Sequence, residues 1–416
     1  MAAPSTPPVT NTPAGRIAFS SRAFTLFIIA RWCVVIGVEM QSVAVGWQVY
    51  DITKRPLDLG LVGLAQFLPG ILLFLVSGHA ADRFNRRKLL LACYAGYALC
   101  SGLLLTIALH GTRSVNLIYA VMVLLGVVRS FTGPTGRAIL PQLVPEEHFP
   151  NAVAWNANAF QSATILGPAL GGLVYAFFRG PSAVYAGAMT VAAAAFISIL
   201  RIDLSPRSIP RDPVNLKTVL AGVRYIRSHK LILGSISLDL FAVLLGGAVA
   251  LLPVYAREVL QTGPWGLGLL RCAPGAGAAV MSVFLAYRPL RRRAGATMLW
   301  CVAGYGVFTV VFGLSRSFAI SLAALFLVGA ADMVSVIVRG ILIQIATPDE
   351  MRGRVNAVDM VFIGASNQFG EFESGLTASW FGTVPAVVIG GVGAIVVTAL
   401  WSWKFSELRR ADSLTV

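Results

Sequence analysis

Charge is what this sequence has least of. Asp, Glu, Lys and Arg make up 12% of its 416 residues, against about 25% in a soluble domain, so a fold wrapped in solvated charge is excluded. Histidine is scarcer still. His79, His110, His148 and His229 stand singly in or beside loops, and neither H-E-x-x-H nor G-x-S-x-G occurs, which removes the commonest hydrolytic sets. The five cysteines, Cys33, Cys93, Cys100, Cys272 and Cys301, fall inside apolar runs at no metal-ligand spacing and read as packing residues. There is no G-x-x-x-x-G-K-S/T loop to cradle phosphate. Neither an enzyme, a metal site, a cofactor nor ATP drive is expected.

Apolar sequence fills the space. Hydrophobic residues are 56% of the chain and the mean hydropathy is +0.76. Twelve runs of about 20 residues or more read as membrane spans, at 23–50, 57–81, 89–110, 114–137, 151–178, 182–200, 231–256, 264–287, 294–314, 317–343, 354–380 and 383–404. Backbone polar groups in lipid must be satisfied within a segment, so the runs are helices. The alternating polarity that a membrane barrel would need is absent. The head, "MAAPSTPPVTNTPAG", is rich in Pro and Thr and lacks the basic-then-apolar order of a signal peptide, so a disordered tail and an attached first span are expected.

The formal net charge is +15, which invites a nucleic-acid reading until its placement is considered. Most of the 33 Lys and Arg sit in the head, the tail and the loops that follow even-numbered spans. By the positive-inside rule this puts both termini in the cytoplasm. The basic excess is then an orientation signal and an anionic-lipid contact, and no nucleic-acid partner is expected.

One stretch is written twice. "RGILIQIATPDEMRGRVNAV" runs from Arg339 to Val358, and "RAILPQLVPEEHFPNAV" from Arg137 to Val153. Six crossings separate the copies. Six is even, so the copies point the same way, which predicts two parallel six-helix halves. The expected division is a tail at 1–22, a first half at 23–200, a linker at 201–230, a second half at 231–404 and a tail at 405–416. The linker segment Val214 to Ser228 has apolar residues at roughly helical spacing, with Lys217, Arg224 and Arg227 between them, the pattern of a helix lying on a leaflet.

The loop "GHAADRFNRRK", Gly78 to Lys88, resembles the G-x-L-A-D-R-x-G-R-R-K loop of the major facilitator superfamily, with Ala80 for the Leu and Asn85 for the second Gly. Asn tolerates positive φ, so the turn is expected to survive. The resemblance implies a conformational latch of Gly78, Asp82, Arg83 and Arg86, with Asp82 facing the N-terminus of the eleventh helix near Gly353 to Asn356, where free N–H groups favour a carboxylate. In "ATILGPALGGLVY", Gly167, Pro168, Gly171 and Gly172 look like the superfamily's G-x-x-x-G-P-x-x-G-G exporter motif, with Ala163 for its leading Gly. Over nearly its full length the chain is most similar to the branch that contains the enterobactin exporter and the macrolide efflux proteins. That likeness implies an all-α, twelve-helix exporter of the inner (plasma) membrane. It would be a monomer working by alternating access on a siderophore-like or other amphipathic small molecule, with protons as the coupling partner. A multidrug or macrolide-type pump, an uptake symporter, or a non-transporting receptor or enzyme on the same scaffold are the alternatives.

Charges inside the spans carry the mechanism in this reading, because each costs at least ~2.5 kcal/mol to insert and normally faces protein or water. Glu39 lies midway along the first span, and the fold implied by the resemblance makes Arg129 its partner; either proton coupling or a structural ion pair results. Asp239 and Asp332 are further coupling candidates. Along the eleventh span Asp359, Ile363, Ser366, Gly370, Glu373 and Thr377 form one helical stripe, with Asn367 and Glu371 beside it, and the stripe should line the cavity. Asp359 is equally a gate or cap. Gln41, Gln48, Gln66, Asn156, Asn158 and Gln161 either bond a polar ligand or tie helix to helix.

Overall fold

The computed structural model describes the backbone of residues 14–202, 216–288, 290 and 293–411, and of these all side chains except those of Ala14, Phe74, Leu75, Asp82 and 216–219. The expected tail over 1–13, the linker stretch 203–215 and the last residues 412–416 lie outside it. The described residues are helical throughout, with no strand.

The first helix, α1 (Arg22–Thr53), starts where Ser21 accepts a hydrogen bond from the Phe24 N–H at 3.3 Å and stops where Lys54 turns left-handed at φ 55°. Then come α2 (Pro56–Leu72), α3 (Phe74–Arg83), α4 (Arg86–Leu109), α5 (Val115–Ile139), α6 (Phe149–Phe177) and α7 (Ser182–Leu200). After α8 (Leu216–Ser228) follow α9 (Lys230–Leu245), α10 (Leu252–Val254), α11 (Gly263–Tyr287), α12 (Ala294–Leu314), α13 (Phe318–Ala346), α14 (Asp349–Phe381), α15 (Thr383–Lys404) and α16 (Ser406–Arg410). Ten of the described helical segments are long and apolar enough to cross a membrane.

Three expected features take a different form. The span at 57–81 is two helices that part at Leu73, where φ −97° and ψ 3° leave the helical range although the Leu73 N–H still reaches the Pro69 carbonyl at 2.9 Å. The span at 231–256 breaks at Gly246–Gly247 and resumes as a 3-10 turn, the short α10 and a π turn over Tyr255–Val259. Asn85 keeps an ordinary φ of −60°, and its side chain caps α4 by accepting from the Lys88 N–H at 3.1 Å. The turn survives as a helix cap rather than as a left-handed residue.

Packing follows one scheme twice. Among the first helices α1 lies against α6 and α7, α4 against α5 and α7, and α2 against α5. Among the later ones α9 lies against α14 and α15, α12 against α13 and α15, and α11 against α13. Two seams join the sets, α2 with α14 and α6 with α11. The helix α8 sits on α14, and its Tyr225 hydroxyl donates to the carbonyl of Ala346, the last residue of α13, at 3.1 Å.

The α6–α11 seam needs bare backbone. A Cβ on Gly172 would lie 2.5 Å from the Pro264 carbonyl oxygen and 2.8 Å from Gly268 Cα, and one on Gly268 would lie 2.6 Å from the Pro168 carbonyl oxygen. Gly172→Val is therefore expected to cost about 1–3 kcal/mol through overpacking and to lower the melting temperature in detergent. Gly340→Ala, with nothing within 4 Å of the added carbon, should leave the melt unchanged; equal melts for the two variants would refute the seam.

Candidate functional site

Three carboxylates share one guanidinium deep in the later helices. On α13, Asp332, Ser335 and Arg339 fall on one face at i, i+3 and i+7. Arg339 forms a salt bridge with Asp239 of α9 and holds Asp359 of α14 at 3.7 Å. Ser335 donates to the second oxygen of Asp239 at 3.3 Å. Asp239 and Arg339 are only 5% and 3% exposed, and Oδ1 of Asp359 is buried without a hydrogen-bond partner. Asp332 faces both Asp239 and Arg339 without a salt bridge of its own among the described residues. Tyr305 of α12 faces Asp332 and Asp239 and donates to the Gly246 carbonyl at 3.0 Å, at the break after α9. Ionised together, the three acids carry two more charges than Arg339 can balance, and an uncompensated buried charge costs several kcal/mol.

A second set of charges lies where the two helix sets meet. A cavity of about 40 Å³ is lined by Ser42, Gly46, Leu59, Val62, Gly63, Gln66, Ala250, Pro253, Arg271 and Glu371. That volume holds a few waters at most and is far below the ~300–1,000 Å³ of a small-molecule pocket. Glu371 leans on α2, where a Cβ on Gly63 would come within 2.6 Å of its carboxylate. The charged groups facing Glu371 are Arg271, Arg129 and Glu39. None of these four side chains has a salt bridge among the described residues.

At the end of the bundle away from the termini, α1 is clasped to the π turn that follows α10. Arg257 binds Asp51 at 2.5 Å, and its guanidinium carbon lies 5.5 Å from the centroid of the Trp47 ring. The Tyr50 hydroxyl donates to Glu258. Lys54 adds a second cation on Asp51 at 2.9 Å.

These features belong to a family with a known chain plan. The model of the transmembrane secretion effectors, a branch of the major facilitator superfamily, matches residues 15–415. The chain belongs to that family. It is a transporter and not an enzyme, and a multi-pass integral membrane protein. The transporter is 28% identical over 403 residues to the enterobactin exporter EntS of Citrobacter koseri, covering 93% of both chains. It is 27% identical over 384 residues to the MFS-type transporter YfiS of Bacillus subtilis, covering 87% of this chain and 88% of that one. In fold it is similar to an inward-facing, occupied bacterial homolog of the human lysosomal transporter Spinster, with a TM-score of 0.72 at 13% identity over 94% of this chain and 98% of that one. The nucleoside transporter NupG, as its D323A mutant, gives a TM-score of 0.70 at 13% identity over 92% and 100%.

The transporter distributes the residues singled out from sequence over several places. Asp239, Asp332 and Asp359 come together on Arg339, a partner that no sequence spacing announced across 100 residues. Glu39 and Arg129 make no side-chain hydrogen bond or salt bridge among the described residues; Glu39 packs on the exporter-like motif instead, its Cβ 2.5 Å from where a Cβ on Gly167 would sit. Gly171 meets the Met40 backbone at 2.7 Å by the same construction, and Gly172 meets α11. Gln41 and Gln48 tie helices, accepting from Ser101 at 2.7 Å and from Tyr185 at 2.6 Å. The eleventh-span stripe turns toward α9 rather than the cavity: Ser366 is 3% exposed, a Cβ on Gly370 would lie 2.9 Å from the Val243 and Leu244 carbonyl oxygens, and Glu373 accepts from Thr377 at 2.6 Å. The small residues of that stripe let two backbones meet, which leaves Glu371, on the adjoining face, to line the cavity. Asn158 and Asn367 are exposed and Gln161 is half-buried; Asn367 donates to the Ile363 carbonyl of its own helix at 3.0 Å.

In the loop after α3, Arg83 is exposed, Arg86 donates to the Ala81 carbonyl at 3.4 Å, and Arg87 donates to the carbonyls of Ile199 at 3.3 Å and Leu200 at 2.5 Å. Nothing lies within 4 Å of a Cβ on Gly78. The expectation for Asp82 concerns a side chain outside those described. The clasp at Asp51, Tyr50, Arg257 and Glu258 was not among the expected sites, because charges at span ends read as ordinary loop residues.

The cluster predicts an asymmetry. Breaking a buried pair costs about 3–5 kcal/mol when a charge is left alone. Arg339→Ala strips the cation from three acids, whereas Asp239→Asn leaves Arg339 with Asp359 and Asp332. The detergent melt should fall markedly further for Arg339→Ala, and a reversed order would overturn this charge assignment.

Proposed function

We propose that this transporter is a proton-coupled secondary exporter. Its twelve spans form two parallel six-helix halves, the ten membrane-length segments, which include the broken 230–259, being joined by α2 with α3 as one span and by α14 as another. Both termini lie in the cytoplasm and the protein works as a monomer in the inner (plasma) membrane. The repeated packing scheme and the six-crossing echo in sequence support the division into halves.

The observation that carries the coupling is the grouping of Asp239, Asp332 and Asp359 on Arg339. Charge left uncompensated in a low-dielectric setting is costly, and a proton is the smallest partner able to remove it. Alternating access then gives the cluster water from one side for loading and from the other for release. Asp332, with no salt bridge, is the primary carrier. Arg339 keeps one negative charge fixed, so that the proton affinity of the remainder depends on the positions of α9, α13 and α14.

The substrate reading rests on the relatives. The enterobactin exporter matched over 93% of both chains supports export of a siderophore-like or other amphipathic small molecule. The 40 Å³ space at the seam has to widen several-fold to admit such a molecule, and opening of the α2–α14 and α6–α11 seams supplies that volume. Glu39, Arg129, Arg271 and Glu371 face the widened space, with Asn158, Gln161 and Asn367 toward the termini.

Reconstituted vesicles loaded with a labelled catecholate siderophore test this reading. An imposed proton gradient should drive efflux and a protonophore should abolish it; gradient-driven efflux should fall at least tenfold in Asp332→Asn while downhill exchange persists. Pumping that continues after collapse of the gradient, or undiminished pumping by Asp332→Asn, would refute the coupling.

A further inference from the structure

Two arginines near the termini end of the first helix set have no salt-bridged acid among the described residues. Arg31, on α1, has an Nε that is buried and lacks any hydrogen-bond partner. Its Nη1 lies 3.1 Å from where a Cβ on Gly136 would sit, which presses it against the residue next to Arg137 on α5. The two guanidinium groups are electrostatic neighbours. Arg137 reaches across the seam, where its Nη1 lies 3.2 Å from the sulfur of Met360 on α14, a weak acceptor. No described carboxylate forms a salt bridge with either arginine. The phenols facing Arg31, Tyr94 and Tyr97, are neutral groups at ordinary pH.

Such an arrangement is incomplete. A guanidinium carries five N–H donors in a planar fork, and like charges set side by side repel, here with Arg31 partly buried and Arg137 exposed in the last turn of α5. Several other arginines do have an acid: Arg339 has Asp239, Arg257 has Asp51 and Arg352 has Asp349. Here an oxyanion between the two forks would neutralise the repulsion and satisfy donors through short, charge-assisted bonds. The organic part of the ligand is indicated by Phe160 of α6, whose ring centroid lies 5.7 Å from the Arg31 guanidinium carbon and which is 42% exposed. A guanidinium stacked on one ring can take a second planar ring on its other face.

We propose that Arg31 and Arg137, with Phe160 as a platform, form a subsite for the acid group of an aromatic oxyanion, an aryl carboxylate or phenolate. The proposal rests on the exporter reading for its purpose and sharpens the substrate to an anionic aryl compound, as opposed to a cationic amphiphile. The subsite sits on the first helix set, apart from the acidic cluster of the second, so anion and proton occupy separate places. Because Arg137 also touches Met360 across the seam, an anion drawn to Arg137 competes with a contact that joins the two sets.

Binding of 2-hydroxybenzoate and of its neutral amide to the purified full-length protein, in nanodiscs of uncharged lipid and with no proton gradient, tests this directly. The acid should bind at least about tenfold more tightly than the amide, the factor expected from one charge-assisted hydrogen-bonded contact. Arg31→Gln and Arg137→Gln should each remove the preference, Arg31→Lys should keep part of it, and Arg409→Gln, an exposed arginine at the same end, should keep all of it. Equal affinity for the two probes in the unmodified protein, a preference that survives both glutamine variants, or its loss in Arg409→Gln would each overturn the subsite. Should Arg31→Gln not fold, the unmodified protein and Arg137→Gln decide. Failure here leaves vesicle efflux untouched, whereas a protein that prefers the acid yet pumps nothing would refute the exporter reading alone.

Discussion

Everything in this molecule hangs on how closely two sets of helices can approach along α2–α14 and α6–α11. At both seams the approach is backbone on backbone. Gly172 and Gly268 face each other across one, and Gly60, Gly63 and Gly375 line the other, where a Cβ on Gly375 would lie 3.1 Å from Gly60 Cα. In lipid there is little hydrophobic drive between helices, so such contacts hold through packing and weak polar interactions. They are therefore strong enough to define a state and weak enough to part. Side chains that reach over the seams, Glu371 onto Gly63 and Arg137 onto Met360, inherit that character.

Charge divides along the same lines. Where acids and bases are paired, as at Arg339 and at the Arg257–Asp51 clasp, the pair is embedded in packing or closes an end of the bundle. Among the described unpaired charges, Arg271 and Glu371 line a space between the sets, and Glu39 and Arg129 face Glu371. A membrane protein bears the insertion cost of such groups only where water or a ligand reaches them. The pattern thus separates charges that hold the structure from charges that do its work.

Much of this was legible in the sequence, and the limits have physical causes. Apolar length revealed nearly every span, since a helix in lipid must satisfy its own backbone. Helix α14 was read as an apolar run at 354–380, yet it carries Asp359, Glu371 and Glu373 and is not among the ten helices long and apolar enough to cross a membrane. The face from Asp359 to Thr377 was legible from its period. Its neighbour was not, because period says which residues share a face and nothing of what that face meets. The Arg339–Asp239 pair and the two-arginine cluster at Arg31 and Arg137 are tertiary facts, joining residues about a hundred apart. The interruptions near Pro69 and at Gly246–Gly247 were not legible, because each sits inside an apolar run whose hydropathy masks it.

That last interruption has a mechanical meaning. A continuous rod from Lys230 to Val259 would oblige its two ends to tilt together. With a break at Gly246–Gly247, touched by the Tyr305 hydroxyl on the Gly246 carbonyl, the distal piece carries Arg257 and Glu258 to α1 while the proximal piece holds Asp239 on Arg339. The crossing is built as two jointed pieces rather than one strut, with its elbow touched by the tyrosine that also faces the acids.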